Sequence, residues 1–310
     1  MRTRQEYYKP NEDYGGYKIR QGKEEDIFPS GSDIRIWYND LPANFAPHWH
    51  NAIEIILPLE NSYDVVMTNT LQRYHLLPGE FLLIPSGEMH EIIAPPDGCR
   101  FIFMFNSRLL TNISGYSSIR SLMGNCLYIT PENYMLIYPE LHDLLIRMAN
   151  YYFDCDEFRE FSIYSCLLQL YVTIAKFQLG KVSMFADSRP DKRNQYFRMF
   201  NQCLEYINQH YAENLSLESV ADLCCLSKYH FSRCFKEYTG KTFYNYLTER
   251  RITAASELLE QADLSITEVA MQSGFSSISA FNRTFQLHKH CTPSEYRRYC
   301  DALPHLMRAQ

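Results

Sequence analysis

A long hydrophobic run, a cysteine pair at metal or redox spacing and a surplus of positive charge are all missing from these 310 residues. No apolar stretch approaches the roughly 18 residues of a membrane span, so no membrane insertion is expected. The opening MRTRQEYYKPNEDYGG lacks the apolar core of a secretory signal. The 10 cysteines include no CxxC, and Cys224 and Cys225 are adjacent, a poor geometry for bridging each other. Reduced thiols and a cytoplasmic location are therefore the expectation.

What is present is the composition of a folded protein, 46% hydrophobic and 21% charged, with a length that suits two domains. The net charge of −6 is unevenly spread. Residues 195–300 hold 11 Lys+Arg and 11 Asp+Glu, so the whole acidic excess lies in residues 1–194. Any nucleic-acid binding must then come from individually placed side chains and not from bulk charge.

Residues 1–30 are polar and Tyr-rich, with turn signals at Gly15, Gly16 and Pro29, and read as a mobile arm. From Ile34 to Phe105 short apolar runs (Ile53–Leu57, Phe81–Ile84, Phe101–Phe105) alternate with Pro, Gly, Asn and Asp, the spacing of a small antiparallel sandwich or barrel. Residues 106 to about 130 carry no clear period. Helical spacing follows in Leu141, Leu144, Leu145, Met148 and Tyr152, and again in Ile163, Cys166, Leu167, Leu170, Ile174 and Phe177. Tyr164, Leu168 and Tyr171 widen the second apolar face, which suggests either ordinary intrachain packing or a second subunit. The expected division is an arm (1–30), a β domain (31–135), a helical dimerisation segment (136–180), a polar linker (181–196) and a helical domain (197–300).

The helical domain repeats itself. LSLESVADLCCLS begins at Leu215 and LSITEVAMQSGFS at Leu264, an offset of 49, while FSRCF at Phe231 matches FNRTF at Phe281 with an offset of 50. Each copy reads as a helix-turn-helix. Ser216 and Ser265 can accept a free N–H of the first turn, and Val220/Ala221 and Val269/Ala270 supply an apolar face with a small residue for close helix approach. Cys225 and Gly274 fall in the turns, Leu226 and Phe275 plug them, and Ser227 and Ser276 or Ser277 cap the second helices. Phe231, Cys234 and Phe235, like Phe281, Thr284 and Phe285, face inward. Lys228, Tyr229, Ser232 and Arg233 remain outside in the first copy, and Ser279, Asn282 and Arg283 in the second. Arg can grip guanine and Asn adenine bidentately, while Lys, Ser and Tyr suit phosphates. A solvated helix face is the bland alternative, but its repetition at matching positions favours DNA reading. Leu247, Arg251, Ile252, Ala255, Leu258 and Leu259 predict one helix between the copies.

The segments SKYHFSRCFKEYTGKTFYNYLTERRITAASELL and ITEVAMQSGFSSISAFNRTFQLHKHCTPSEYR closely resemble the AraC/XylS DNA-binding domain over about Phe200–Arg298. That resemblance implies base-facing roles for Tyr229, Ser232 and Arg233, and for Ser279, Asn282 and Arg283. His290 stands where the family normally has Gly.

Ahead of it, His48-Trp49-His50-Asn51-Ala52-Ile53-Glu54 reads HxHxxxE, and Gly79 to His90 reads Gx5PxGxxH. Both resemble the paired cupin motifs, departing from them at Ala94 and near Glu60-Asn61. The resemblance implies that His48, His50, Glu54 and His90 could hold one divalent ion or line an effector pocket; a hydrogen-bonded structural cluster is the third reading. Trp37, Tyr38 and Trp49 are stacking candidates or simply core.

The fold class expected is α+β and multidomain: a cupin-like β-barrel with a helical pair, then an all-α domain with two helix-turn-helix motifs. The expected function is a non-enzymatic, homodimeric transcription regulator that binds double-stranded DNA under control of a small-molecule effector, a carbohydrate among the candidates. A metal-dependent cupin enzyme fused to a DNA-binding module is the alternative.

Overall fold

The three apolar runs become adjacent central strands of one sheet. The computed structural model describes residues 19–298 apart from 21–22, 25–27, 30, 41–43, 69, 112, 114, 124–125, 155–156, 182–189, 260–262 and 290. Its strands are β1 (Ile19–Arg20), β2 (Lys23–Glu24), β3 (Ile34–Asn39), β4 (Phe45–His48), β5 (Ala52–Glu60), β6 (Tyr63–Met67), β7 (Gln72–Leu76), β8 (Phe81–Ile84), β9 (His90–Ile93), β10 (Cys99–Asn106) and β11 (Leu127–Ile129). Apart from the short β1–β2 pair, they form a five-stranded sheet, β11-β8-β5-β10-β3, and a four-stranded sheet, β4-β9-β6-β7.

Alternation along the central strands separates two cores. Ile53, Ile55, Leu57, Leu83, Phe101, Phe103 and Phe105 point to one face. There they join Leu141, Leu144 and Leu145 of α3 (Tyr138–Phe153) and Ile163, Leu167, Leu170 and Ile174 of α4 (Arg159–Lys181). Ile56, Leu82 and Ile84 point to the other face and meet Phe45, Val65 and Ile92 of the second sheet. Central strands buried on both faces explain why those runs are continuous and not alternating. The unit is therefore a cupin-like β-sandwich with helices on one face.

Residues 106–130, which carry no clear sequence period, hold α1 (Arg108–Thr111), α2 (Tyr116–Met123) and β11. Each is short, and a short element gives periodicity too few residues to register. The end of the expected arm is also structured. Lys23 and Glu24 are buried, and the Glu24 amide donates to the Trp49 carbonyl at 2.9 Å. Near Glu60-Asn61, Asn61 adopts φ 58°, a left-handed conformation that asparagine tolerates better than most residues.

Of the polar stretch read as a linker over 181–196, residues 182–189 lie outside the described residues. Helix α4 continues through Lys181, and α5 (Pro190–His210) starts at a proline, a residue whose fixed φ suits the first helical turn.

The described elements of the C-terminal unit are all helices. After α5 come α6 (Leu217–Leu223), α7 (Lys228–Thr239), α8 (Phe243–Leu259), α9 (Ile266–Gln272) and α10 (Ile278–Lys289). Helix α8 is the expected connector between the repeats. Phe200, Phe231, Phe235, Tyr238 and Phe243 form an aromatic core under the first motif, with Phe200 stacked on Tyr238 at 5.0 Å. Phe281, Phe285 and Tyr296 do the same under the second, with centroids 5.5 and 5.4 Å apart. His290 lies outside the described residues.

Candidate functional site

The second helix of each motif is positioned by a helix before it that is pinned at both ends. In α6 the Ser216 hydroxyl accepts from the Ser219 amide at 3.0 Å, and the Ser219 hydroxyl accepts from the Ser216 amide at 3.1 Å. In α9 Ser265 and Glu268 make the same reciprocal pair at 3.2 and 2.7 Å. Both are capping boxes, worth about 1 kcal/mol each.

The turns match as well. The Leu226 amide donates to Ala221 O, and the Phe275 amide to Ala270 O, each at 3.0 Å. These six-to-one bonds need a left-handed residue between helix and plug. Cys225 takes φ 51° and Gly274 takes 82°. A Cβ on Gly274 would stand 2.7 Å from Ala212 Cα, so the second turn has no space for a side chain.

Ser227 then caps α7, accepting from the His230 amide at 3.4 Å, and Ser277 caps α10, accepting from the Ala280 amide at 3.2 Å. Ser277, and not Ser276, is the cap, which places the inserted residue inside the second turn. The paired caps also set the register of the two outer faces, pairing Tyr229 with Ser279, Ser232 with Asn282 and Arg233 with Arg283.

All six side chains are exposed, Tyr229 by 85%. Phe231, Cys234 and Phe235, and likewise Phe281 and Phe285, are buried beneath them, while Thr284 is half-buried. Arg233 Nη2 donates to His230 Nδ1 at 3.3 Å, a contact along the helix that leaves the guanidinium at the surface. Lys228 is engaged with the Glu218 carboxylate, both at the surface. An exposed ion pair is weak and salt-screened, so Lys228 can exchange its carboxylate for a phosphate. Arg251 is a residue whose role sequence periodicity does not indicate. It stands in the apolar spacing of α8, yet its guanidinium donates to Tyr211 O and Glu213 O, both at 2.8 Å, and ties the connector to the turn after α5.

The second candidate site lies in the β-sandwich. His48 and His90 are directly opposed on β4 and β9. The Pro85-Ser86-Gly87 turn brings the second motif back to the first, with the Gly87 amide donating to the His50 carbonyl at 2.8 Å. Gly87 takes φ 84°. His48, His50 and His90 thereby converge with ligand atoms within 4.8 Å of one another, all buried.

Their second ring nitrogens define the protonation. Nδ1 of His48, His50 and His90 donates to the carbonyls of Ala46, Ala52 and Glu88 at 2.8, 3.1 and 2.9 Å. A carbonyl only accepts, so each Nδ1 carries a proton, and Nε2 is the ring nitrogen turned into the centre. Those Nε2 atoms face carboxylates. His50 Nε2 is 3.0 Å and His90 Nε2 2.9 Å from Glu54 Oε2. His90 Nε2 lacks the alignment of a hydrogen bond. His48 Nε2 is 3.4 Å from Glu24 Oε2. Glu24 is absent from both sequence motifs; only its burial in the fold reveals it.

Burial works against the Glu54 carboxylate, but its contacts with His50 and His90 outweigh that and hold it well below the usual carboxylate range. Burial pushes the His90 imidazole below its usual value, towards neutrality. Neutral imidazole and ionised carboxylate are the coordinating forms of both groups. Trp37, Tyr38 and Trp49 are buried, with Trp37 packed beside Ala52, Ile102 and Met104, so they serve as core.

Comparison with known proteins covers both sites. Residues 220–299 match a family model described as a helix-turn-helix domain, and residues 40–151 one described as an AraC-like ligand binding domain. An uncharacterized HTH-type transcriptional regulator of Staphylococcus aureus (strain COL) is 40% identical over 97 residues, 31% of this chain and 13% of that protein. The regulatory protein PocR of Salmonella typhimurium is 38% identical over 104 residues, 34% of each chain. The chain thus spans 13% and 34% of these relatives' lengths. Among solved structures, the DNA-binding domain of AdpA in complex with a target DNA is 29% identical, with 33% of this chain and 93% of that one covered at a TM-score of 0.32.

Proposed function

Because the chain belongs to the AraC family of helix-turn-helix transcriptional regulators, we propose that it binds double-stranded DNA sequence-specifically and regulates transcription under control of a small-molecule effector. The observation that carries this reading is the register equivalence of two exposed faces, Tyr229/Ser232/Arg233 on α7 and Ser279/Asn282/Arg283 on α10. One helix joins the motifs, so α7 and α10 are offered to successive major grooves, with subsites about 34–36 Å apart. Effector binding is assigned to residues 31–135, dimerisation to 136–180 and DNA binding to 197–300. A cytoplasmic location goes with this reading. Among the described residues no helix is long and apolar enough to cross a membrane.

The test is a binding-site selection with the wild type, Arg233→Ala and Arg283→Ala. Losing a bidentate Arg contact costs about 1–3 kcal/mol and relaxes preference at one base position. If both variants select the full wild-type site, α7 and α10 are not the readers.

The effector centre is His48, His50, Glu54 and His90, and the convergence of three buried imidazoles with ligand atoms within 4.8 Å of one another supports a divalent ion within it. Nitrogen and oxygen donors about 2.0–2.1 Å from one ion stand about 3.0–3.4 Å apart at right or tetrahedral angles. The observed contacts of 2.9, 3.0 and 3.4 Å fall in or beside that range. The carbonyls of Ala46, Ala52 and Glu88 already orient all three rings. When bound, such an ion supplies the positive charge that the buried carboxylates call for, and a coordination position for an oxygen-bearing effector such as a carbohydrate. The family is one of regulators and not of enzymes, which supports a sensing role for the centre.

A second copy of the chain is the remaining partner. Leu167, Leu170 and Tyr171 of α4 are buried within the chain, so they are not available to it. Phe161, Leu168 and Val172 are exposed by 77%, 40% and 39%. Their spacing places them along one face of α4, which supports a homodimer through that face.

A further inference from the structure

Glu24 belongs to neither histidine motif and comes from a two-residue strand that sequence reading assigns to a mobile arm. We propose that Glu24 supplies a second carboxylate to a divalent ion at the histidine centre, so that ion occupancy locks the end of the N-terminal arm onto the β domain. The inference rests on the metal reading of that centre.

Three observations carry it. Glu24 is 6% exposed, and its Oε2 approaches His48 Nε2 at 3.4 Å, on the one imidazole of the three for which no contact with Glu54 is seen. Its backbone is fixed independently. The amide donates to Trp49 O at 2.9 Å, Lys23 forms a parallel bridge with Trp49, and Lys23 Nζ lies 5.4 Å from the Trp49 ring centroid. The carboxylate is thus delivered to the centre by docking of the arm and is withdrawn if the arm leaves.

The two carboxylates are anchored differently: Glu24 stands on a two-residue strand, whereas Glu54 is held in the middle of β5, paired on both sides by β10 and β8. Three nitrogens and two oxygens form a donor set for a first-row transition ion, not for Ca²⁺ or Mg²⁺.

The experiment uses the full chain, stripped with a chelator and titrated with Zn²⁺ alone. Zinc affinity is measured by competition with a chromogenic chelator for the wild type, Glu24→Gln, Glu24→Asp and Glu54→Gln. Hydrogen exchange of the arm is followed in the wild type with and without zinc. Expected are at least about a tenfold loss of affinity in Glu24→Gln, a larger loss in Glu54→Gln, and slower exchange across residues 23–24 on adding zinc. If the wild type binds zinc tightly, Glu24→Gln matches it and arm exchange ignores the metal, the arm inference is overturned and the metal centre stands. If the wild type binds no zinc, the metal reading itself has failed, and the inference with it. The exchange measurement needs no variant to fold.

Discussion

Cys225 adopts at φ 51° the left-handed conformation that Gly274 adopts at 82° in the equivalent turn 49 residues later. Both turns are closed by the same six-to-one hydrogen bond. The first copy therefore carries a side chain where the backbone favours glycine, at a cost of about 1–2 kcal/mol. Cys225→Gly is expected to stabilise the DNA-binding unit by about 1 kcal/mol, the greater flexibility of glycine in the unfolded chain offsetting part of the relief. Gly274→Ala is expected to destabilise it by at least about 2 kcal/mol, since its Cβ would also meet the Tyr211 and Ala212 backbone at 2.7–2.9 Å. Thermal unfolding of the two variants checks both signs, and a stabilised Gly274→Ala would show that the turn is wrongly described.

The pairing of Lys228 with Glu218 predicts opposite effects from its two members. Glu218→Gln frees the ammonium and removes a negative charge beside α7. It should tighten binding to every DNA sequence alike and steepen the dependence of affinity on salt. Lys228→Ala should weaken all sequences and reduce the salt slope by about 1. Titrations of a specific and a random duplex at two salt concentrations distinguish this from base reading, which would change the ratio between the duplexes.

Two faces of α4 separate folding from assembly. Leu167→Glu with Leu170→Glu buries unpaired charge in the sandwich core and should unfold the N-terminal unit, at about 3 kcal/mol or more. Leu168→Glu with Val172→Glu should leave circular dichroism unchanged and convert a dimer to a monomer in light scattering. A wild type already monomeric at micromolar concentration removes the dimer proposal.

Metal removal should be visible as lost stability. At a free zinc concentration about 100-fold above Kd, binding contributes about 2.7 kcal/mol. Chelation should then lower the unfolding temperature of the N-terminal unit by about 5–10 °C. His50→Ala should abolish the response, because it removes one nitrogen donor and the contact with Glu54 at 3.0 Å. The C-terminal unit's transition should not respond to zinc in either protein.

The sequence by itself determined what depends on near neighbours. The repeat, the Ser216 and Ser265 caps, the inward Phe231 and Phe281 and the apolar runs of β5, β8 and β10 are all local patterns, because helix and strand periods place residues a few positions apart on one face. His48, His50, Glu54 and His90 were legible for the same reason, each motif being short and local in the chain. Tertiary structure decided what depends on distant chain segments meeting. It chose which face of α4 is buried, leaving Leu168 outside and taking Tyr171 in. It paired Lys228 with Glu218 and gave Arg251 two carbonyls instead of a place in the core. It also brought Glu24 to His48 from 24 positions away. No period or spacing encodes that approach, because it is created only when the arm strand docks on Trp49 and the sandwich closes around three imidazoles.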